Sequence, residues 1–227
     1  MERKITEALY WVGVFLPEKN ISLNAFLIKD KKNTLIDTTA PDTADKVIEN
    51  IKSLIGSENI DYILLTHADV DHAGGLPKIL QEYGDAEVIT SSNYGEEVIA
   101  LMGAKPKIRI VDDKDVIDLG ERKLSIVSAP FLCTPDSVFY YDETDKVLFS
   151  ADAFGTYTKE WTLFAEGDMT EDMKTYNEVK FGHLINVTHA SINVRKKNLD
   201  VDIIAPGHGL MVPDAKKYIE KGILMML

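Results

Sequence analysis

One short segment, YILLTHADVDHAGG at residues 62–75, constrains the fold more than any other part of the sequence. Its first four residues are a continuous apolar run, which predicts a short strand that is buried on both faces. Two histidines and two aspartates follow directly, and the amphipathic stretch 76–83 comes after them. A buried strand that ends in such a loop places ligand-type side chains at the edge of a sheet, where binding sites are commonly built.

The rest of the chain alternates short apolar runs with amphipathic stretches. The polar run KDKKN is typical of a hairpin turn between the strands predicted at 23–28 and 34–37, while residues 42–55 carry apolar side chains at helical spacing. Two antiparallel-to-mixed sheets covered by outer helices are therefore expected. The remaining strands are predicted at 9–16, 62–65, 87–90, 108–111, 123–128, 138–141, 147–150 and 202–205, and the remaining helices at 93–102, 170–187 or beyond, and the C-terminus.

Composition excludes several classes of partner. The 227 residues are 45% hydrophobic, which is enough for the core of a single domain spanning residues 1–227. A net charge of −12 would repel nucleic acid and anionic lipid, so neither nucleic acid nor a membrane is an expected partner. The single cysteine cannot form an intrachain disulfide, and the first residues do not resemble a signal peptide, so a cytoplasmic location is expected.

The loop after the buried strand has the side chains of a metal site. His67 and Asp69 are two residues apart and can point the same way from an extended backbone, whereas Asp71 and His72 can reach a neighbouring position. The loop therefore has room for two metal ions. In the alternative interpretation, the aspartates cap the following helix and the histidines are ordinary surface residues.

Further candidate ligands follow predicted strands later in the chain. Asp152 follows the run VLFS, and His208 lies between two glycines after the run DIIA. Either residue alone would be interpreted as a turn, cap or structural residue, but their common position at strand ends indicates that they join the loop residues. His183 and His189, six residues apart in a predicted helix, are expected on the helix surface.

Several motifs together carry a resemblance to a known family. THADVDH, LCTPDS, LFSADAFG and APGHG, in this order, with YWVG and NAFLIKDKKNTLIDT near the start, resemble the metallo-β-lactamase fold superfamily. Within it they are most similar to the diiron domain of flavodiiron proteins. The resemblance covers nearly the whole chain and implies an α+β class αββα sandwich, with two mixed sheets flanked by helices and a binuclear site at one edge. It implies His67 and Asp69 as ligands of the first metal, Asp71, His72 and His208 as ligands of the second, and Asp152 as the bridge.

The departures from the family pattern concern the first metal. Hydrolases of the superfamily usually carry histidine where this chain has Asp69, whereas flavodiiron proteins carry glutamate, one methylene longer. A carboxylate suits iron better than a neutral imidazole does, so two iron ions are expected rather than zinc. Cys133 stands where the family has a histidine ligand. It is a thiolate ligand, a small buried filler, or a residue that leaves a coordination position open.

Two functions remain open at this point. The first is a non-heme diiron protein that binds dioxygen, or nitric oxide in its place, and acts as an oxygen sensor or oxygen-handling module. Whether it also reduces the bound ligand is left open. No flavodoxin domain and no FMN are expected in this chain, so this function needs an external electron donor or a signalling partner protein. The second is a zinc-dependent hydrolase of glyoxalase or thioesterase type, in which the metal activates water. Asp69 and Cys133 count against the second function, and homodimerisation is left open.

Overall fold

Short strands and helices, joined by loops that carry polar side chains, make up the structure. The computed structural model describes residues 3–181 and 192–224, and a short helical stretch covers 192–196. The strands are β1 (Leu9–Trp11), β2 (Val14–Leu16), β3 (Ile21–Leu23), β4 (Phe26–Ile28), β5 (Thr34–Ile36), β6 (Tyr62–Leu64), β7 (Glu87–Thr90), β8 (Lys107–Ile110), β9 (Val116–Asp118), β10 (Lys123–Ser128), β11 (Val138–Asp142), β12 (Val147–Phe149), β13 (Ile203–Ala205) and β14 (Val212–Pro213). The other α-helices are α1 (Ala44–Ile55), α2 (Val70–Ala73), α3 (Leu76–Glu82), α4 (Asn93–Leu101), α5 (Thr170–Phe181) and α6 (Ala215–Leu224).

Two six-stranded mixed sheets form the centre of the fold. The first has the order β1-β4-β5-β6-β7-β8, in which β5 to β8 are parallel neighbours. The second has the order β14-β13-β12-β11-β10-β9, in which the β12–β13 pair is parallel. Strands β2 and β3 form a separate antiparallel ribbon. Because parallel neighbours end at the same edge of a sheet, the loops after β5 and β6 lie together, as do those after β12 and β13.

Alternating side chains build four layers. Leu64 lies in the apolar core between the two sheets, whereas its neighbour Ile63 lies in the core that the first sheet forms with α1 and α3. Likewise, Tyr140 faces the first sheet, and Phe139 packs with residues of α5 and α6. The αββα sandwich of mixed sheets expected from the sequence is confirmed. No helix in the described segments has the length and apolar character that crossing a bilayer requires.

The structure corrects two of the predicted strands. Neither 9–16 nor 23–28 is continuous, because the chain bends at Val12–Gly13 and again at Asn24–Ala25, where Val12 donates to Ala25 O at 2.8 Å. A Cβ at Gly13 would lie 2.3 Å from Leu23 O, so only glycine permits this close approach. The short strands β9 and β14 escaped prediction because two or three residues show no periodicity. Residues 182–191, with His183 and His189, and residues 225–227 lie outside the described residues.

The core between the sheets can be tested with two leucines. Leu64 is completely buried, so Leu64→Ala should lower the free energy of unfolding by about 2–5 kcal/mol. Leu101 is 87% exposed, and Leu101→Ala should change it by no more than about 0.5 kcal/mol. Urea unfolding of both variants at equal metal content measures the difference. Equal losses in the two variants would contradict the layer assignment.

Candidate metal centre

Loops from both sheets meet at one edge of the sandwich. The loop after β6 carries His67 and Asp69 and continues into α2, which carries Asp71 and His72. Asp152 follows β12 in the second sheet. The other two side chains come from the loop after β13, with His208, and the loop before β11, with Cys133. Every candidate ligand from the sequence is thus placed in the same region of the fold.

The candidate ligands form three overlapping groups whose nitrogen, oxygen and sulfur atoms lie within 4.8 Å of one another. The groups are His67, Asp69 and Cys133; Asp71, His72 and His208; and His67, His72 and Asp152. The first two correspond to the two metal positions that the family resemblance implies, with Cys133 in the first position. The third group contains the implied bridge.

Asp152 lies between the two metal positions and divides its oxygens between them. Its Oδ1 lies 3.1 Å from His72 Nε2 and 3.0 Å from His208 Nε2. Its Oδ2 lies 3.5 Å from His67 Nε2 and accepts a hydrogen bond from Cys133 Sγ at 2.7 Å. The side chain is fully buried. One oxygen for each group is the arrangement that a bridging carboxylate needs.

Hydrogen bonds behind the imidazoles fix their orientation. His72 Nδ1 lies 2.9 Å from Asp37 Oδ2, and the same carboxylate accepts bonds from the backbone and hydroxyl of Thr66 at 2.8 and 2.7 Å. His208 Nδ1 donates to Ser22 O at 2.8 Å. Both rings therefore turn Nε2 towards Asp152, as metal-binding histidines do when a second group holds their other nitrogen.

Sequence reasoning missed Asp37 and Ser22 as supporting residues. A signal existed for Asp37, because it directly follows β5. Since β5 and β6 are parallel neighbours, Asp37 lies at the same edge of the sheet as the loop after β6. No pattern pointed to Ser22, which acts through its backbone carbonyl and its place in the β2–β3 ribbon. Backbone contacts of this kind carry no residue signature.

The imidazole nitrogens that face the cluster fit a metal ion. His67 Nε2 and His208 Nε2 are buried and have no hydrogen-bond partner among the described residues, although carboxylate oxygens lie close to them. Buried polar atoms are nearly always satisfied, so two unsatisfied nitrogens at one point require an explanation. A metal ion between the imidazoles and the carboxylates would satisfy both nitrogens, and the nitrogen, oxygen and sulfur donors present fit one.

The electrostatics of the cluster favour the binding of cations. Burial lowers the pKa of His72, but the negative charges of Asp152 and Asp37 outweigh it and raise this pKa to about 10. Burial also lowers the pKa of His208, and Asp152 and Asp71 raise it to about 9. The carboxylates therefore stabilise positive charge at this point, and the binding of a metal ion would compete with protonation of these rings.

Cys133 is held at the first metal position by its own loop. The hydroxyl of Ser137 accepts hydrogen bonds from the backbone nitrogens of Cys133 and Thr134 at 3.2 and 3.1 Å. Val138 then donates to Thr66 O at 2.8 Å, which ties this loop to the one that carries His67. Burial raises the pKa of the Cys133 thiol to about 12, with Asp152 adding to the rise and His67 opposing it. The thiol is therefore protonated unless a metal cation lies beside it.

Two further side chains from α5 reach the cluster. The Tyr176 hydroxyl donates to Asp152 Oδ1 at 3.4 Å, and Lys180 Nζ lies 3.2 Å from Asp152 Oδ2. Sequence reasoning missed both. The spacing of Met173, Tyr176 and Lys180 along the predicted helix was the available signal. The structure thus assembles every predicted ligand and adds these contacts, while metal binding by the individual residues stays a prediction.

Comparisons with known proteins bear on this arrangement. The family described as ODP family beta lactamase matches residues 21–209. The chain is 33% identical over 226 residues to the flavo-diiron protein FprA2 of Clostridium acetobutylicum, covering 91% of this chain and 56% of that protein. It is 34% identical over 200 residues to the anaerobic nitric oxide reductase flavorubredoxin of Salmonella arizonae, covering 85% of this chain and 42% of that protein.

A solved structure shows the same fold. The crystal structure of the flavodiiron protein from Giardia intestinalis matches with a TM-score of 0.87 at 25% identity, covering 99% of this chain and 59% of that one. This likeness confirms the fold expected from the family resemblance. The chain spans about half the length of the curated relatives described here.

Replacing the central carboxylate tests whether one side chain serves both metal positions. Asp152→Asn keeps the side-chain size and removes the charge that faces both ligand groups, so both metals should be lost together. Elemental analysis after reconstitution with ferrous iron measures the loss, and circular dichroism checks the fold. Asp42→Asn, at an exposed position before α1, is the control. Loss of one metal alone would contradict the bridging position.

Two substitutions separate the interpretations of Cys133. Cys133→His supplies an imidazole to the first ligand group, so iron should bind at least as well as in the original protein. Cys133→Ala should remove about half of the iron if the thiolate is a ligand, because only one metal position depends on it. Iron content of both variants after identical reconstitution measures the effect. Unchanged iron in Cys133→Ala would show that the thiol is not a required ligand.

Proposed function

Since the chain belongs to the ODP family of beta lactamases, we propose that it is a non-heme diiron protein that binds dioxygen. The observation that carries this proposal is the position of Asp152, with one oxygen facing each of two ligand groups. Residues 1–227 act in this proposal as one diiron domain, with His67, Asp69 and Asp152 at the first metal and Asp71, His72, His208 and Asp152 at the second.

The donor set supports iron over zinc. The groups combine three carboxylates with three imidazoles and a thiol, and carboxylate oxygen is a harder ligand than imidazole nitrogen. Asp69 stands at a position where hydrolases of the superfamily usually carry histidine. Two bound ferrous ions would supply electrons to dioxygen or nitric oxide. For the zinc hydrolase alternative to hold, this carboxylate-rich set of ligands would have to bind zinc, which has no redox chemistry, in preference to iron.

The residues around the metal positions have defined tasks in this function. Asp37 and Ser22 hold His72 and His208 in the orientation that turns Nε2 towards the centre. Asp152 keeps the two positions adjacent. The half-buried Asp69 lies at the solvent side of the first position, because its side chain is 41% exposed. Access for a small ligand is expected beside this residue.

Repeated reduction of a bound ligand needs a source of electrons. The Salmonella relative is named a nitric oxide reductase, and the chain covers 42% of its length. We place the electron donor for repeated reduction outside the metal centre, on a partner protein or on another redox module. Without that donor, the domain binds dioxygen and serves as an oxygen sensor or oxygen-handling module, in the cytoplasm. Nitric oxide is the second ligand that the relatives support.

A spectrum before and after exposure to air tests this function. Iron-loaded protein prepared without oxygen and reduced should gain visible absorption when air is added, because ferrous ions at the centre become oxidised. The colour should persist until an outside reductant is supplied. Zinc-loaded protein serves as the control and should stay colourless.

Two outcomes would contradict the proposal. Protein that fills with zinc during expression in iron-rich medium and hydrolyses a thioester would support the hydrolase alternative instead. Rapid consumption of dioxygen with NADH by the isolated chain, measured with an oxygen electrode and no added redox protein, would contradict the external electron donor.

A further inference from the structure

A lysine on α5 lies beside both metal positions. Lys180 Nζ is 3.2 Å from Asp152 Oδ2 and 3.6 Å from Asp71 Oδ2. Its side chain is 28% exposed, whereas that of Asp152 is fully buried. The ammonium group therefore reaches from the surface to the carboxylate that the two ligand groups share.

The packing of α5 fixes where this ammonium group lies. Met173, Tyr176 and Asn177 are buried, and Lys180 continues the same face of the helix at the spacing i, i+3, i+4, i+7. Tyr176 and Lys180 are one turn apart, and their polar ends meet the two oxygens of Asp152, the hydroxyl at Oδ1 and the ammonium at Oδ2. Lys180 is thus placed by a buried helix face and not by a chance ion pair at the surface.

Lys180 cannot be a metal ligand while it carries its proton, because an ammonium group has no free lone pair. Within the described part of the chain, it is the one lysine or arginine in ion-pair distance of Asp69, Asp71 or Asp152. Asp69, Asp71, Asp152 and an ionised Cys133 would offset the charge of two ferrous ions. Lys180 adds one positive charge on the side shared by both positions, which attracts a negatively charged ligand.

We propose that Lys180 binds small anions at the metal pair and so determines which external ligands the centre holds most tightly. This inference rests on the proposed diiron function. The ligand class is a small anion that accepts a hydrogen bond from the ammonium group, as azide does. A neutral diatomic ligand such as dioxygen gains much less from a nearby charge, so Lys180 strengthens the binding of anions more than that of dioxygen.

Azide titration of the air-oxidised iron protein, followed by visible absorption at constant ionic strength, tests the proposal. Lys180→Gln removes the charge and should raise the azide dissociation constant about tenfold. Lys180→Arg keeps the charge and should retain most of the affinity. Lys174→Gln is the matched control, because Lys174 lies on the same helix but pairs with Glu171, at 2.7 Å. It should leave the dissociation constant unchanged.

Iron analysis of every protein separates this inference from the proposed function. A wild-type protein that takes up no iron would contradict the diiron function itself. An iron-loaded wild type that binds no azide, or a Lys180→Gln variant with full iron and unchanged azide affinity, would overturn the role of Lys180 alone. Loss of iron from Lys180→Gln would also overturn it, because the lysine would then support the aspartates and not the external ligand.

Discussion

The rest of the centre depends on the contacts that the buried carboxylate of Asp152 makes with the groups around it. Burying an unpaired charged carboxylate in a protein interior costs roughly several kcal/mol of folding free energy. Such a group is therefore found only where opposite charges and hydrogen-bond donors surround it. Here imidazoles, a thiol, a hydroxyl and an ammonium group all face its two oxygens. Burial raises the pKa of Asp152, and the charges of His72 and His208 outweigh it and hold this pKa well below its usual range. The carboxylate therefore keeps its charge at neutral pH, as the proposed bridge between two cations requires.

Bringing these groups together requires both sheets and close backbone contacts. Asn24 interrupts the strand predicted at 23–28, and its side chain donates to Pro206 O and Gly209 O at 2.8 and 3.0 Å. The bend that corrects the strand prediction is thus the feature that holds the loop of His208. At Gly207, a Cβ would lie 2.4 Å from His72 Cε1, so a side chain there would push the second metal position apart. The geometry of the site thus depends on close packing of backbone segments against the ligand side chains as much as on which residues the ligands are.

The two sides of the centre differ in the charge of the groups that they present. Behind the histidines, Asp37 and the Ser22 carbonyl provide fixed acceptors that orient the rings. On the solvent side, Lys180 offers a donor and a positive charge that no ligand role uses. Acceptors behind the centre and a donor in front of it are the arrangement that the proposed binding of metal ions and of a negatively charged external ligand requires.

The sequence by itself determined the layers of this protein and the types of side chain that gather at the centre. The informative features are local patterns: the apolar run before THADVDH, the helical spacing at 42–55 and the polar residues after strands. Such patterns can be recognised from the sequence alone, because each involves residues that are close together along the chain. Tertiary structure alone decided that Lys180 and Tyr176 meet the two oxygens of Asp152, and that the strand breaks hold the loop of His208. These contacts join residues far apart in sequence through packing and backbone atoms. The spacing along α5 places Tyr176 and Lys180 on one face of the helix but does not tell which group that face meets. No sequence pattern records the backbone contacts of Asn24, because the backbone offers the same donors and acceptors at nearly every position.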